Sequence, residues 1–410
     1  MTDTPLAQPS AGAPRRLAPG AALRFVVFLG FVSLLADMTY QGGRSITGPF
    51  LAQLGASATV VGVFAGLGEL LGYGLRLVSG YLSDRSGDYW RVAIIGYLIN
   101  LLAIPALALA GSWEAAVALM MLERTGKAIR KPARDAMLSH ATAEMGRGWG
   151  FGLHKAMDQT GALLGPLVMA AVLFATRGGY RLAFAVLLIP ALLSFAVLLA
   201  ARREYPRPSD LEVRTVELQT HGASRSYWIY LAASALVAAG YADFPLIAYH
   251  FARTDAMPPS WIPLIYALAM GVSAVVALGA GWLFDRVGVA VIAASVVVAA
   301  LFAPLVFLGG VTLAVVGMAL WGIGMGVQES IVRAAVADLV PAGRRAGAYG
   351  VFDTGFGIFW FLGSALMGVL YDRSITALVV FSMAAQLAAL PLLLIVASRA
   401  RAARASSGAR

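Results

Sequence analysis

The chain of 410 residues is 60% hydrophobic and 13% charged, with a mean hydropathy of +0.78. Soluble domains carry about a quarter charged residues, so most of this chain must have lipid as its solvent. Its formal charge of +10 falls mostly between apolar segments, which points to membrane topology and away from nucleic acid, and the absence of cysteine excludes disulfides, thiolate metal sites and a cysteine nucleophile.

Residues 1–22, with Pro5, Pro9, Pro14 and Pro19, lack the apolar core of a signal peptide and read as a disordered cytoplasmic tail. Long apolar runs then predict helices over 24–50, 58–82, 91–111, 114–134, 150–176 and 181–201, a first bundle filling 23–201. The polar stretch 202–226, with Pro206 and Pro208, reads as a cytoplasmic linker. Further runs predict helices over 227–252, 260–284, 288–309, 312–335, 347–370 and 376–397, a second bundle filling 227–398, with 399–410 as a basic cytoplasmic tail. Each run reaches the roughly 20 residues that a membrane crossing needs, and the ~10-residue alternation of a membrane β-barrel is missing. Arginines gather on one side, at 15, 16, 85, 91, 147, 286, 344, 345 and the C-terminus, against 177, 181, 253 and 373 on the other. That bias assigns both termini to the cytoplasm, with the protein in the inner membrane.

The halves repeat. Gly80-Tyr-Leu-Ser-Asp84-Arg85-Ser-Gly87 recurs as Gly281-Trp-Leu-Phe-Asp285-Arg286-Val-Gly288, and Gly126 and Gly150 recur at Gly326 and Gly350. Matches in equivalent topological places argue for duplication and pseudo-symmetric halves. Gly80 and Gly87 allow a close helix approach and a tight turn, while Asp84 is a strong acceptor for an arginine or a helix N-terminus. The element therefore reads as a conformational latch on the cytoplasmic side, which Arg134-Asp135 can join; a charged loop that anchors topology is the plainer reading.

This element resembles motif A of the major facilitator superfamily. Arg124 followed by Gly126 resembles that family's motif B, without its usual Gln-Gly pair, and Gly161-Ala-Leu-Leu-Gly165-Pro166 resembles motif C, which is associated with antiporters. The resemblance, nearest to bacterial efflux-type permeases, implies an all-α polytopic fold of twelve transmembrane helices in two six-helix bundles.

Ionisable groups at mid-bilayer cost about 2.5–3.5 kcal/mol each on insertion scales and so mark pathways or relays. The first helix carries Asp37, Tyr40, Gln41 and Arg44, and the second carries Glu69, Tyr73 and Arg76. The fifth holds Asp158, the seventh Asp243 and the tenth Glu329 and Arg333. Helices one, four, seven and ten line the cavity in the family, which brings Asp37, Arg124, Asp243 and Glu329 to a shared aqueous space. Same-helix structural pairs are the competing reading for Asp37 with Arg44, Glu69 with Arg76, and Glu329 with Arg333. Lys127, Arg130, Lys131 and Arg134 read as topology anchors that snorkel to the interface.

The leading function is alternating-access export of a small molecule in exchange for protons. Proton-coupled uptake of an organic solute or metal chelate is the second reading, and a membrane receptor or scaffold is the third. No H-E-x-x-H, G-x-S-x-G or Gly-rich phosphate loop supports an enzyme. The four histidines lack metal-binding spacing, and neither metal nor cofactor is called for. The expected partners are a small-molecule substrate, protons and the lipid bilayer, with the chain acting as a monomer.

Overall fold

Proline chemistry shapes the helices of this chain. Proline lacks an N–H, and its ring clashes with the carbonyl four residues earlier. The sixth predicted helix divides into α6 (Tyr180–Val186) and α7 (Leu188–Glu204), four residues before Pro190. The seventh divides into α8 (Arg225–Gly240) and α9 (Phe244–Arg253) ahead of Pro245, and the ninth into α11 (Ala290–Ala300) and α12 (Phe302–Phe307) ahead of Pro304. Pro49, Pro132, Pro166 and Pro391 instead stay inside continuous helices. The other elements are α1 (Pro19–Gln53), α2 (Ala58–Ser86), α3 (Tyr89–Ala106), α4 (Trp113–Thr142) and α5 (Arg147–Ala175) in the first half. The second half adds α10 (Trp261–Val287), α13 (Val311–Leu339), α14 (Arg345–Arg373) and α15 (Ile375–Gly408).

The computed structural model describes residues 19–86, 88–142, 147–206, 224–340 and 345–408. Among these, eleven helical stretches are long and apolar enough to cross a membrane. Helix α4 is the twelfth crossing; its charges at 123, 124, 127, 130, 131 and 134 keep it off that count. Most of the expected tail 1–22 and linker 202–226 lies outside the described residues, whereas α15 runs on through 399–408. Apolar side chains cover the outside as well as the inside: Phe174 is 80% exposed and Leu278 82%, as lipid-facing residues should be.

Twelve crossings bring the start of α1 and the end of α15 to one face of the bundle, here the terminus face. Toward the opposite, far face the halves meet along two seams. In one, α1 lies against α9, where a methyl group on Gly48 would stand 2.8 Å from the Tyr249 nitrogen. In the other, α2 lies against α14, where a methyl on Gly62 would stand 2.9 Å from the Gly368 Cα. Small residues let backbones approach this closely.

Candidate functional site

The break between α8 and α9 creates the centre of the site. Residues Tyr241, Ala242 and Asp243 leave the helix, which frees backbone groups in the middle of the bundle. Such irregular backbone is tolerated at membrane depth only where protein satisfies it. The Trp321 indole donates to the Ala242 carbonyl at 3.0 Å, and Tyr241 donates its hydroxyl proton to the Trp321 carbonyl. Asp243 is the N-cap of α9, yet its side chain makes no cap bond and turns to other partners.

Those partners link the halves. Arg44 Nη2 donates to Asp243 Oδ1 at 2.5 Å, and the other Asp243 oxygen accepts from the Trp360 indole at 2.9 Å. Arg44 Nη1 bonds Glu69 Oε1 at 3.0 Å and the Tyr40 hydroxyl at 2.7 Å. The same Glu69 oxygen receives Arg124 Nη1 at 2.9 Å. Arg124 Nε lies 3.5 Å from Glu123, whose second oxygen accepts from Asn100 at 2.6 Å. This connected cluster holds three carboxylates, Glu69, Glu123 and Asp243, against two guanidiniums.

Beside the cluster is a cavity of about 220 Å³. Its lining runs from Tyr40, Gln41, Arg44, Glu69 and Trp360 to Arg76, Lys127, Lys131, Lys155 and Asp353. The second group sits on the terminus-side halves of α2, α4, α5 and α14, so the cavity points to the terminus face. Lys155 Nζ crosses this end, 3.7 Å from Glu329 on the other half and 4.0 Å from Asp158 on its own helix. At the far face, Asp372 at the end of α14 ties the two halves together. Its carboxylate accepts from the Ala58 and Thr59 amides at 3.2 and 2.8 Å and from the Thr59 hydroxyl at 2.6 Å, capping α2 from the opposite half. Tyr249 adds a bond to the Ala56 carbonyl at 3.1 Å.

The structure corrects several pairings expected from the sequence. Arg44 pairs with Glu69 and Asp243, not with Asp37, and Glu69 takes Arg44 and Arg124, not Arg76. Spacing along one helix cannot reveal these partners, because they come from neighbouring helices. Asp37 lies outside the cavity lining, 3.8 Å from Arg130, and Asp158 lies 3.9 Å from Arg134. Glu329 lines the cavity and pairs with Lys155; the Arg333 side chain is outside the described residues. Lys127 and Lys131 were expected at the lipid interface, but both line the cavity, and Arg130 and Arg134 are buried. Arg130 and Arg134 turn inward because Asp37 on α1 and Asp158 on α5 lie there, 3.8 and 3.9 Å away. Gln41 and Tyr73 line the cavity as well, and Gln41 accepts from Tyr266 at 2.7 Å.

Of the proposed latch, Gly87 and the side-chain surroundings of Gly80, Asp84, Arg85 and Asp285 lie outside the described residues. Asp135 pairs with Arg134 at 2.8 Å, Arg286 stacks on Trp282 at 3.5 Å, and Gly281 has open space where a side chain would go. Gly288 ends α10 at φ 68°, a left-handed conformation that favours glycine. Gly161 and Gly165 press α5 onto α1: a methyl on Gly165 would stand 2.8 Å from the Gly42 nitrogen and nearer still to the Met38 carbonyl. Pro166 follows inside the same helix. Sequence reasoning missed Glu123, Trp360, Trp321 and Asp372. Glu123 was findable, as a second acid beside Arg124 in a predicted span.

The sequence pattern described as Major Facilitator Superfamily matches residues 26–364. The chain belongs to that superfamily. An uncharacterized protein of Mycobacterium tuberculosis is 43% identical over 376 residues, covering 90% of this chain and 92% of its own. An MFS-type transporter of Methanocaldococcus jannaschii is 28% identical over 361 residues, covering 85% and 89%. Among solved structures, the peptide transporter POT in complex with sulfate shares the fold with a TM-score of 0.73 at 16% identity, covering 92% and 94%. As a Major Facilitator Superfamily member the chain is a multi-pass membrane protein and a secondary transporter of a small-molecule substrate.

Proposed function

We propose that the chain exports a small solute from the cytoplasm in exchange for protons, with Asp243 as a coupling acid. The observation that carries this reading is the Arg44–Asp243 bridge, which joins the two halves between a cavity on one side and closed seams on the other. The Arg44 side chain is 10% exposed and that of Asp243 2%, so breaking the pair by charge loss alone is costly, about 3–5 kcal/mol for a buried pair. Proton uptake and bridge opening therefore belong to one step. The cluster tolerates this, since its three carboxylates and two guanidiniums become neutral overall when one carboxyl is protonated. Neutral Asp243 no longer holds Arg44 across the halves, and the halves are free to part there.

Two further features support the direction. The cavity points to the face that the arginine bias assigns to the cytoplasm, where an exporter loads. The Gly161–Gly165–Pro166 segment, similar to the antiporter motif, keeps α5 against α1 through the cycle. In this reading Gly80, Asp84, Arg85 and Gly87 latch the cytoplasmic side in the alternate state, with Gly281, Asp285, Arg286 and Gly288 as their counterpart.

The test uses proteoliposomes loaded with a pH-sensitive dye. Addition of a transported solute should move protons in the opposite direction in the wild type. Asp243→Asn, which imitates the protonated carboxyl permanently, should abolish that flux and retain solute counterflow. Solute movement with no proton signal, or full proton flux in the variant, would remove Asp243 from coupling; proton flux in the same direction as solute would make the protein a symporter.

A further inference from the structure

In the cavity wall, Arg76 and Lys127 have no carboxylate within 4.0 Å among the described residues. Arg44, Arg124 and Lys155 are each matched by acids, as described above. Arg76 instead has its guanidinium 5.0 Å from the centre of the Tyr73 ring, and Lys127 Nζ stands 3.2 Å over the Tyr40 ring. The Nε of Arg76 is buried and makes no hydrogen bond, and the buried Gln328 amide oxygen in the same wall is also unmet. An aromatic face attracts a cation but does not neutralise it, and a buried polar group without a partner is costly. The sequence placed these groups on different helices, and the fold makes them neighbours: Ser79, one turn after Arg76, donates to the carbonyl of Ala128, next to Lys127, at 2.8 Å. Both cations line the one cavity, between the ion-pair cluster and its terminus-face end.

We infer that the solute is a small organic anion, whose carboxylate, phosphate or phosphonate group docks at Arg76 and Lys127. The inference rests on the transport reading above only in naming the ligand a cargo. Arg76 offers the paired N–H donors that suit a planar carboxylate or a phosphate, and Lys127 adds a point charge. The organic body then lies against Tyr73 and Phe356, two rings 5.9 Å apart in the cavity wall. Such a ligand supplies the counter-charge the wall lacks.

The experiment is a thermal-shift titration of the purified full-length protein. The probes are benzoate, succinate, phenyl phosphate and glycerol 3-phosphate, set against benzamide, succinamide, benzylamine and glycerol. At least one anion should raise the melting temperature with saturation, and its uncharged or cationic counterpart should not, since only a ligand of the folded state stabilises it. The ranking of carboxylates against phosphates identifies the headgroup. Arg76→Gln and Lys127→Gln should each weaken the apparent Kd about tenfold or more. Arg76→Lys keeps the charge and should recover part of the loss, which decides the matter if Arg76→Gln fails to fold. No stabilisation by any anion, equal stabilisation by the neutral probes, or unchanged binding in both Gln variants overturns the inference. Anion binding without proton-linked flux in proteoliposomes keeps the ligand class and sinks the coupling scheme; proton-linked flux of a neutral or cationic solute does the reverse.

Discussion

Asp372→Ala should open the far face of the protein. The carboxylate makes three hydrogen bonds to the first residues of α2 across the seam between the halves. Charge-assisted bonds are worth about 1.5–3 kcal/mol each in protected sites, which would sum to an implausibly rigid clasp. The Thr59 contacts are solvent-exposed, so the better guide is the roughly 0.5–2 kcal/mol lost when a helix N-cap is removed. A loss of about 1–2 kcal/mol shifts the equilibrium roughly 5–30-fold toward the state open at the far face. Asp372→Asn keeps an acceptor, loses the charge and should fall between. Because the chain contains no cysteine, spin labels go onto single introduced cysteines without background. Labels at Gln53 and Thr254, at the far ends of α1 and α9, report the separation of the halves by double electron–electron resonance. A longer-distance population should grow in Asp372→Ala. An unchanged distance distribution in that variant would show that the cap does not hold the halves together.

Three further expectations follow from the same contacts. Asp37→Asn removes the carboxylate facing Arg130 and should weaken transport driven by a pH gradient in proteoliposomes while counterflow persists; equal gradient-driven rates would exclude Asp37 from coupling. Lys155→Glu or Glu329→Lys alone should slow transport and shift the labelled halves on the terminus face, whereas the double exchange should restore much of the rate; additive defects would mean the pair does not act as one contact. Gly165→Val forces a side chain against the α1 backbone and should lower stability by about 1–3 kcal/mol, read as a fall in melting temperature; an unaltered melting temperature would refute the close α1–α5 contact.

Much of this architecture was legible in the sequence. Apolar runs fixed the crossings, and the repeat of the Gly80 to Gly87 element at Gly281 to Gly288 announced two related halves. Charges such as Arg44, Glu69 and Asp243 announced themselves because they are expensive in lipid. Their partners did not. A same-helix pair is visible in spacing, but Arg44 reaches residues 25 and 199 positions away, and nothing in local periodicity selects them. The breaks in α6/α7, α8/α9 and α11/α12 were only half legible. Pro190 and Pro245 mark places where a helix can bend, yet equally apolar surroundings at Pro166 and Pro391 gave continuous helices, and tertiary packing decides between the two outcomes. Asp372 gave no signal at all, because an acid at a helix end is ordinary until a second helix begins beside it. The basic stripe of α4 was read toward lipid headgroups, since a sequence shows the spacing of charges but not which neighbours they meet.

The glycine seams between the halves carry a mechanical consequence. Where Gly62 and Gly66 face Ser364, Phe361 and Gly368, backbone lies on backbone, and no long side chain is threaded into the opposite helix. Surfaces of that kind glide and separate without any rotamer having to withdraw from a socket. Resistance to motion is then concentrated in a few discrete polar contacts, much as a smooth sliding door is held by its catches. The rate at which this molecule turns over should answer steeply to single substitutions at those catches. It should answer hardly at all to changes in the apolar packing within each half.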